Sequence, residues 1–459
     1  MRHSLPVFLL FLSALFWVPN LALASAGAAA AMPELFGIPV DFILFAATLV
    51  GVALFHHYTL QVALTGLSVI LVYKFLFTGF KHGSGLEGFL LHLGHEWVIL
   101  VNLFALLVGF AMLSNHFEQS KVPEMLPRYL PSGWMGGFVL LAIIFVLSSF
   151  LDNIAAALIG GTIAAIVYRK KVHIGYLAAI VAASNAGGAG SVVGDTTTTM
   201  MWIAGISPMA VLHAFVASFV ALFIFGIPAA MLQHRHQPLE SGSGHSEPVD
   251  MARVGIVFFV LVLAIAANVM ANLVFVGVAD VFPVLGAAVW VALLVSVPLR
   301  QPDWKLMPAT VKGSIFLLAL VTCASLMPVE RLPEASWQTA FTLGFVSAVF
   351  DNIPLTALAI KQGGYDWGIL AFTVGFGGSM IWFGSSAGVA VSNIFPEAKS
   401  VANWVRHGWF VAVAYIISFF VMLAVMGWHP TPKGHETMAD PAAMAAPAQP
   451  GAAVPAAAH

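Results

Sequence analysis

Apolar residues run along this chain in blocks too long for the elements of a soluble core. An apolar run of about 17–25 residues has the length of a membrane-crossing helix. Three such runs come early: Phe36–Phe55, Tyr58–Phe77 and Trp97–Leu113. The next, Met135–Val167, has 33 residues. One helix of that length would be about 50 Å long against a hydrocarbon core of about 30 Å, while two full spans would need about 40 residues and a turn. It therefore predicts two short arms that dip in and return to the same side, with Asp152-Asn153 at the tip. Gly175–Ile206 is apolar at both ends but holds "NAGGAGSVVGDTTTT" between them. This predicts a helix interrupted at membrane depth, where irregular backbone survives only if it lines a cavity or is covered by protein. A plain span, Met209–Leu232, closes the first half.

The polar stretch Gln233–Ala252 reads as a linker, after which the pattern restarts. Three spans follow: Arg253–Phe275, Asp280–Leu299 and Gly313–Met327. Then come a run centred on Asp351-Asn352 (Trp337–Ile360), a glycine-interrupted run (Trp367–Phe395) and a last span (Trp409–Met426). The residues repeat as well. Ser148…Asp152-Asn153-Ile154 matches Ser347…Asp351-Asn352-Ile353, and Gly187-Gly188…Gly194-Asp195-Thr196 matches Gly377-Gly378…Gly384-Ser385-Ser386. Two motifs in the same order at near-equal spacing indicate duplication. The expected fold is an all-α polytopic membrane protein with an inverted repeat, each half having three spans, a re-entrant hairpin, a broken helix and a final span. The repeats are 36–232 and 253–427, joined by a cytoplasmic linker, 233–252.

Composition agrees: 60% of residues are hydrophobic and 8% charged, against roughly 25% charged in soluble domains. A net charge of −2 gives no case for nucleic acid and leaves membrane lipid as the surrounding partner. Residues 1–26 read as a signal peptide or a first membrane helix, with Arg2 and His3 before Leu5–Leu23 and then "ALASAGAAA". Residues 429–459 read as a disordered Ala/Pro tail.

A hairpin that does not cross leaves five crossings per half, so the second half is upside down. Lys and Arg placement tests this. With residue 27 outside, twelve basic residues fall inside: Lys121, Arg128, Arg169, Lys170, Lys171, Arg235, Arg253, Arg300, Lys305, Lys312, Lys399 and Arg406. Four fall outside: Lys81, Arg331, Lys361 and Lys433. Letting the first hairpin cross puts Arg169-Lys170-Lys171 outside and removes the bias. The expected location is the bacterial inner membrane, with the cleaved N-terminus and the C-terminal tail periplasmic.

Both hairpin tips then meet the two broken helices near the midplane. The groups expected there are Ser148, Ser149, Asp152, Asn153, Asn185, Gly194, Asp195 and Thr196–Thr199 from the first half. The second half adds Ser347, Asp351, Asn352, Gly384, Ser385, Ser386 and Asn393. Carboxylate, amide, hydroxyl and carbonyl oxygens are hard ligands, suited to Na⁺, Li⁺ or H⁺. Glycine lets an unwound backbone turn its carbonyls to an ion, and helix C-terminal ends add negative partial charge. A buried carboxylate is stabilised by a proton or by a metal ion, and the two displace one another. Asp152, Asn153, Asp195, Asp351 and Asn352 are the expected Na⁺ ligands, with Na⁺ and H⁺ as transported ions and no cofactor.

Plainer roles compete. Asp152 and Asp351 suit helix N-caps, the latter with Pro354 just inside the following arm. The glycines suit close helix packing. Thr198 and Thr199 suit hydroxyls bonded back to their own helix. Most of the sixteen histidines fall in loops or termini, including His56-His57, His92, His95, His234, His236 and His245. His95-Glu96 stands at the mouth of a span, and His213 lies in a span where a bond to a neighbouring helix is expected. The lone Cys323 reads as apolar filler. No HExxH, Walker or CxxC pattern occurs, and no enzyme chemistry is expected.

"FLDNIAAALI" with "SNAGGAGSVVGDTTTTMMWI", and "VFDNIPLTA" with "GGSMIWFGSSAG", resemble NhaD-type sodium/proton antiporters. These stand within the ion transporter superfamily that also holds citrate, dicarboxylate and arsenite carriers. The resemblance covers roughly residues 36–427. It implies Na⁺/H⁺ exchange by an elevator-like movement, as a homodimer. In dicarboxylate-carrying relatives the hairpin tips read Ser-Asn-Thr; here Asp152 and Asp351 supply an acid, which favours cation exchange. Where such antiporters have Trp-Ser-Pro-Ile-Gly-Asp, this chain has Gly190-Ser191-Val192-Val193-Gly194-Asp195. The alternatives are a Na⁺- or H⁺-coupled citrate, dicarboxylate or oxyanion transporter, and a channel or membrane scaffold.

Overall fold

The computed structural model describes residues 33–55, 58–81, 83–239, 248–273 and 278–431. The leader read over residues 1–26, the tail from residue 432, the middle of the linker, His56-His57 and His245 lie outside the described residues. The chain is an all-α polytopic membrane protein. Among the described residues, six helices are long and apolar enough to cross a membrane, and six shorter apolar ones accompany them.

In chain order the first half runs α1 (Val40–Leu54), α2 (Thr59–Tyr73), α3 (Gly85–Gln119), α4 (Trp134–Ser148), α5 (Asn153–Val167), α6 (Ile174–Ala189), α7 (Thr196–Ile203) and α8 (Ala214–His236). The second runs α9 (Met251–Leu273), α10 (Val284–Ser296), α11 (Met307–Ser325), α12 (Trp337–Val349), α13 (Asn352–Gln362), α14 (Trp367–Gly377), α15 (Ser386–Ile394) and α16 (Val401–Met426). The apolar runs centred on the two Asp-Asn pairs are each two helices, and so are the two glycine-interrupted runs. The arms α4, α5, α12 and α13 have 15, 15, 13 and 11 residues. At 1.5 Å per residue none reaches across about 30 Å of hydrocarbon.

The largest departure from the sequence reading is α3. It extends the expected Trp97–Leu113 to 35 residues, about 52 Å at helical rise, which demands tilt. Its polar first turns are accommodated by partners that sequence spacing does not reveal. His92 Nε2 lies 3.1 Å from Ser325 Oγ, and Glu96 lies 3.7 Å from Lys361 Nζ. Near the same end a buried pair, Asp41–Lys74 at 3.0 Å, ties α1 to the π-helical turn Lys74–Thr78 that extends α2.

Two half-helices form the centre. Every residue of α6 from Gly175 to Ala189 is buried, as is all of α14. A helix apolar on every side belongs where it has neighbours on every side. Thus α6 packs against α4, α5, α8, α14 and α16, while α14 packs against α12, α13, α8 and α16 as well. The hairpins engage crosswise: α5 lies along α15, and α13 lies along α7. That crossing, rather than either half alone, brings the two sets of polar residues together. Cys323 is buried and free, as a filler would be. His213 is exposed at the junction before α8, and no hydrogen bond from its ring to a neighbouring helix is formed among the described residues.

Candidate cation site at the crossing of two broken helices

Each hairpin turn is pinned to its own half's broken helix by the same bond. Ser148 Oγ donates to the Ser184 carbonyl at 2.6 Å, and Ser347 Oγ donates to the Val374 carbonyl at 2.7 Å. In the first half Ser149 Oγ also reaches the Gly187 carbonyl at 3.1 Å, and Ser191 Oγ reaches the Ser149 carbonyl at 2.6 Å. Asp152 caps α5 and Asp351 caps α13, their carboxylates accepting from Ile154 N at 3.3 Å and Ile353 N at 3.0 Å. The cap uses one oxygen of each carboxylate. Asp351 Oδ2 takes Ser386 Oγ at 3.4 Å.

At the centre a chain of amides runs from one half to the other. Asp195, which is 2% exposed, caps α7 through Oδ1, accepting from Thr197 N at 2.8 Å and Thr197 Oγ1 at 2.9 Å. Its Oδ2 accepts from Asn153 Nδ2 at 2.9 Å. The same Asn153 nitrogen donates to Asn185 Oδ1 at 3.1 Å. Asn185 Nδ2 then donates across to Ser379 Oγ at 2.9 Å and Ser385 Oγ at 3.1 Å. Both amide nitrogens are fully used, so the orientation of each amide is set by its partners. Asn352 is different: it is buried, and its Nδ2 has no hydrogen-bond partner among the described residues. Turning that amide over presents oxygen instead of nitrogen and breaks no bond of that nitrogen.

Glycine serves close approach at these breaks, not unusual torsion angles. A Cβ on Gly194 would sit 2.1 Å from the Ser148 carbonyl oxygen, and one on Gly384 would sit 2.5 Å from that of Ala348. Neither residue has a positive φ. Thr198 and Thr199 spend their hydroxyls on the Ser191, Val192 and Asp195 carbonyls at 2.6–2.9 Å, holding the loop closed over the start of α7.

A cavity of about 460 Å³ opens beside this network. Asp152, Asn153, Asp195, Thr196, Asn352 and Ser386 line its inner end, and α3 and α11 form the facing wall. Among the described residues no lysine, arginine or histidine lines it. Among the described residues no three His, Cys, Asp or Glu side chains are grouped to hold a metal ion. The inner end of the cavity offers the carboxylates of Asp152 and Asp195, with amide and hydroxyl oxygens beside them.

The structure thus gathers Ser149, Asp152, Asn153, Asn185, Gly194, Asp195, Thr196, Ser347, Asp351, Asn352, Gly384, Ser385 and Ser386 around the crossing. Asn393 is not among them. It is exposed near the far end of α15, where its Oδ1 accepts from Lys399 Nζ at 3.0 Å, because two turns of helix carry it away from the break. Ser379 was not expected. Its signal was its position directly after Gly377-Gly378, at the point where α14 ends. The polar residues of the α3 and α11 wall were also missed, since nothing local marks a helix face as a cavity wall.

A helical membrane protein with a carboxylate-bearing site where broken helices cross is, as a class, built like a secondary transporter. No family model matches the chain. It is 29% identical over 328 residues to sodium/proton antiporter 1 of Arabidopsis thaliana, covering 61% of this chain and 52% of that protein. It is 26% identical over 369 residues to the Na⁺/H⁺ antiporter NhaD of Vibrio parahaemolyticus, covering 63% and 81%. It is 26% identical over 349 residues to NhaD of Alkalimonas amylolytica, covering 64% and 68%. The match spans about half the length of the plant protein. The chain resembles NhaD-type antiporters on these findings as it does on its motifs, and these relatives are named as transporters, not enzymes.

Proposed function

We propose that the chain exchanges Na⁺ or Li⁺ for H⁺ across the bacterial inner membrane by alternating access, working as a homodimer. One observation carries the reading. A cavity lined by Asp152 and Asp195, with hydroxyls and amides and no basic side chain, ends at the hydrogen-bonded crossing of the two broken helices. A carboxylate held away from water is costly to leave charged and uncompensated. A proton or a metal ion removes that cost, and each excludes the other. Asp152, Asp195 and Asp351 hold the exchanged charge in this proposal, with Asn153, Asn352, Thr196 and Ser386 offering neutral oxygens. A citrate or oxyanion carrier would need cationic groups that the cavity lining lacks.

The inverted-repeat topology belongs to the same proposal. The matched order of helices and the paired Ser148 and Ser347 bonds support it. So do the ion pairs, which join groups assigned to one side: Arg300–Asp250 at 2.6 Å inside, Arg331–Glu34 at 3.7 Å and Lys361–Glu96 at 3.7 Å outside. The cavity reaches Glu118 and Leu306, at the ends of α3 and α11 assigned to the cytoplasm. Towards the periplasm, Lys361 closes the path. It stands in the last turn of α13, the helix whose first residue is Asn352, and its Nζ donates to the Ser325 carbonyl of α11.

Reconstituted vesicles carrying a lumenal pH dye test the exchange. Added Na⁺ or Li⁺ is expected to drive protons out of the lumen, with K⁺ and citrate inert; citrate uptake without Na⁺-driven proton movement would end the proposal. For the closed side, Lys361→Met is expected to open the periplasmic path. In a Cys323→Ala background, a cysteine replacing Ser386 should then react with an impermeant thiol reagent added from that side. Labelling equal to that in the Lys361 parent would show that the contact is no latch.

A further inference from the structure

The cavity has a polar lane that the exchange chemistry at its inner end does not use. Its α3 wall is Leu103, Leu106, Leu107 and Phe110, then Ser114, Asn115 and Glu118. Residues three and four apart share a helix face, so this is one stripe that changes from apolar to polar over about 22 Å of helix. Across from it, Thr310 and Ser314 of α11 also line the cavity. Glu118 is the outermost residue of the α3 stripe. It is exposed, and it is in no ion pair with a described residue.

Among the described residues Glu118 is also the only acid of the lining besides Asp152 and Asp195. Lysines stand at the ends of the helices that frame this mouth, Lys121 just beyond α3 and Lys305 and Lys312 about the start of α11, where Asp303 stands two residues before Lys305. Those charges repel a cation arriving from that side. A narrow slot with low-dielectric walls focuses whatever charge lies within it. A carboxylate inside the mouth therefore opposes the repulsion a cation meets from the lysines on entering, and the hydroxyls and amide beyond it replace part of the hydration shell.

We propose that Glu118 is the collecting residue for the transported monovalent cation at the cytoplasmic mouth. It raises the cation's local concentration and leaves the exchange step to the aspartates. This rests on the exchange reading above and adds a sidedness that reading does not require. Glu118→Gln is to be compared with the parent and with Glu118→Asp in everted and right-side-out membrane vesicles, measuring initial rates of Na⁺-driven proton movement against Na⁺ concentration.

With Na⁺ on the cytoplasmic face, at low ionic strength, Glu118→Gln should raise KM about threefold to tenfold while the maximal rate stays within about twofold. The rise should shrink as choline chloride is added, because the Debye length falls from about 30 Å at 0.01 M to about 8 Å at 0.15 M. Glu118→Asp should behave like the parent, and with Na⁺ on the periplasmic face all three should agree. Equal KM values on the cytoplasmic face, an equal rise on both faces, or a rise indifferent to salt would overturn the proposal. A parent that shows no Na⁺-driven proton movement overturns the exchange reading instead, so the two failures are told apart.

Discussion

Asp195→Asn is expected to abolish exchange while leaving a folded protein. Asp195 is an acceptor in three bonds: two from Thr197 to Oδ1 and one from Asn153 Nδ2 to Oδ2. An asparagine keeps only one oxygen. If that oxygen faces Thr197, the new amide nitrogen faces the Asn153 nitrogen, and two donors meet with nothing between them. The disturbance does not stop there, because Asn153 orients Asn185, and Asn185 reaches Ser379 and Ser385 of the other half. Losing a hydrogen bond to a charged group costs about 1.5–3 kcal/mol. With the exchanged charge gone as well, a loss of Na⁺-driven proton flux of a hundredfold or more is expected in the vesicle assay. The swap Asn153→Asp with Asp195→Asn restores one acid and one amide to the same contact. It should recover thermal stability lost by the single variant. Flux in Asp195→Asn within about twofold of the parent would remove Asp195 from the exchange step.

Gly194→Ala has the second largest expected effect, through packing. The added Cβ would stand 2.1 Å from the Ser148 carbonyl oxygen, and that residue is itself pinned by its side chain to the Ser184 carbonyl at 2.6 Å. Backbone on both sides leaves no flexible side chain to yield. Overpacking a tight contact costs about 1–3 kcal/mol, and relief would come only by parting the hairpin turn from the broken helix. A lowered melting temperature in detergent and at least a tenfold loss of flux are expected. Gly384→Ala should follow it, since its Cβ would be 2.5 Å from the Ala348 carbonyl oxygen. Gly255→Ala, where nothing stands within 4 Å, is the control and should be silent or slightly stabilising. Normal melting and flux in Gly194→Ala would show that the break tolerates a side chain.

The two Asp-Asn pairs, the two glycine breaks and their order were readable from the chain, because each rests on local chemistry. A carboxylate in an apolar run must be capped, paired or functional, and a run of 33 residues fits neither one span nor two. The membrane class and the resemblance to sodium/proton antiporters follow from the same local signals. Long-range pairing is different. Nothing near Asn185 marks Ser379 as its partner 194 residues away, and nothing in α3 separates the stripe ending at Glu118 from any other helix face. Asn393 shows the converse error, since membership of the same polar segment does not survive two turns of helical rise. Where the chain breaks and which residues are costly to bury are properties of residue type and immediate neighbours, so they are legible along the chain. Which of those residues meet depends on the folded packing, because the crosswise seating of α5 on α15 and α13 on α7 is chosen by surfaces distant in the chain.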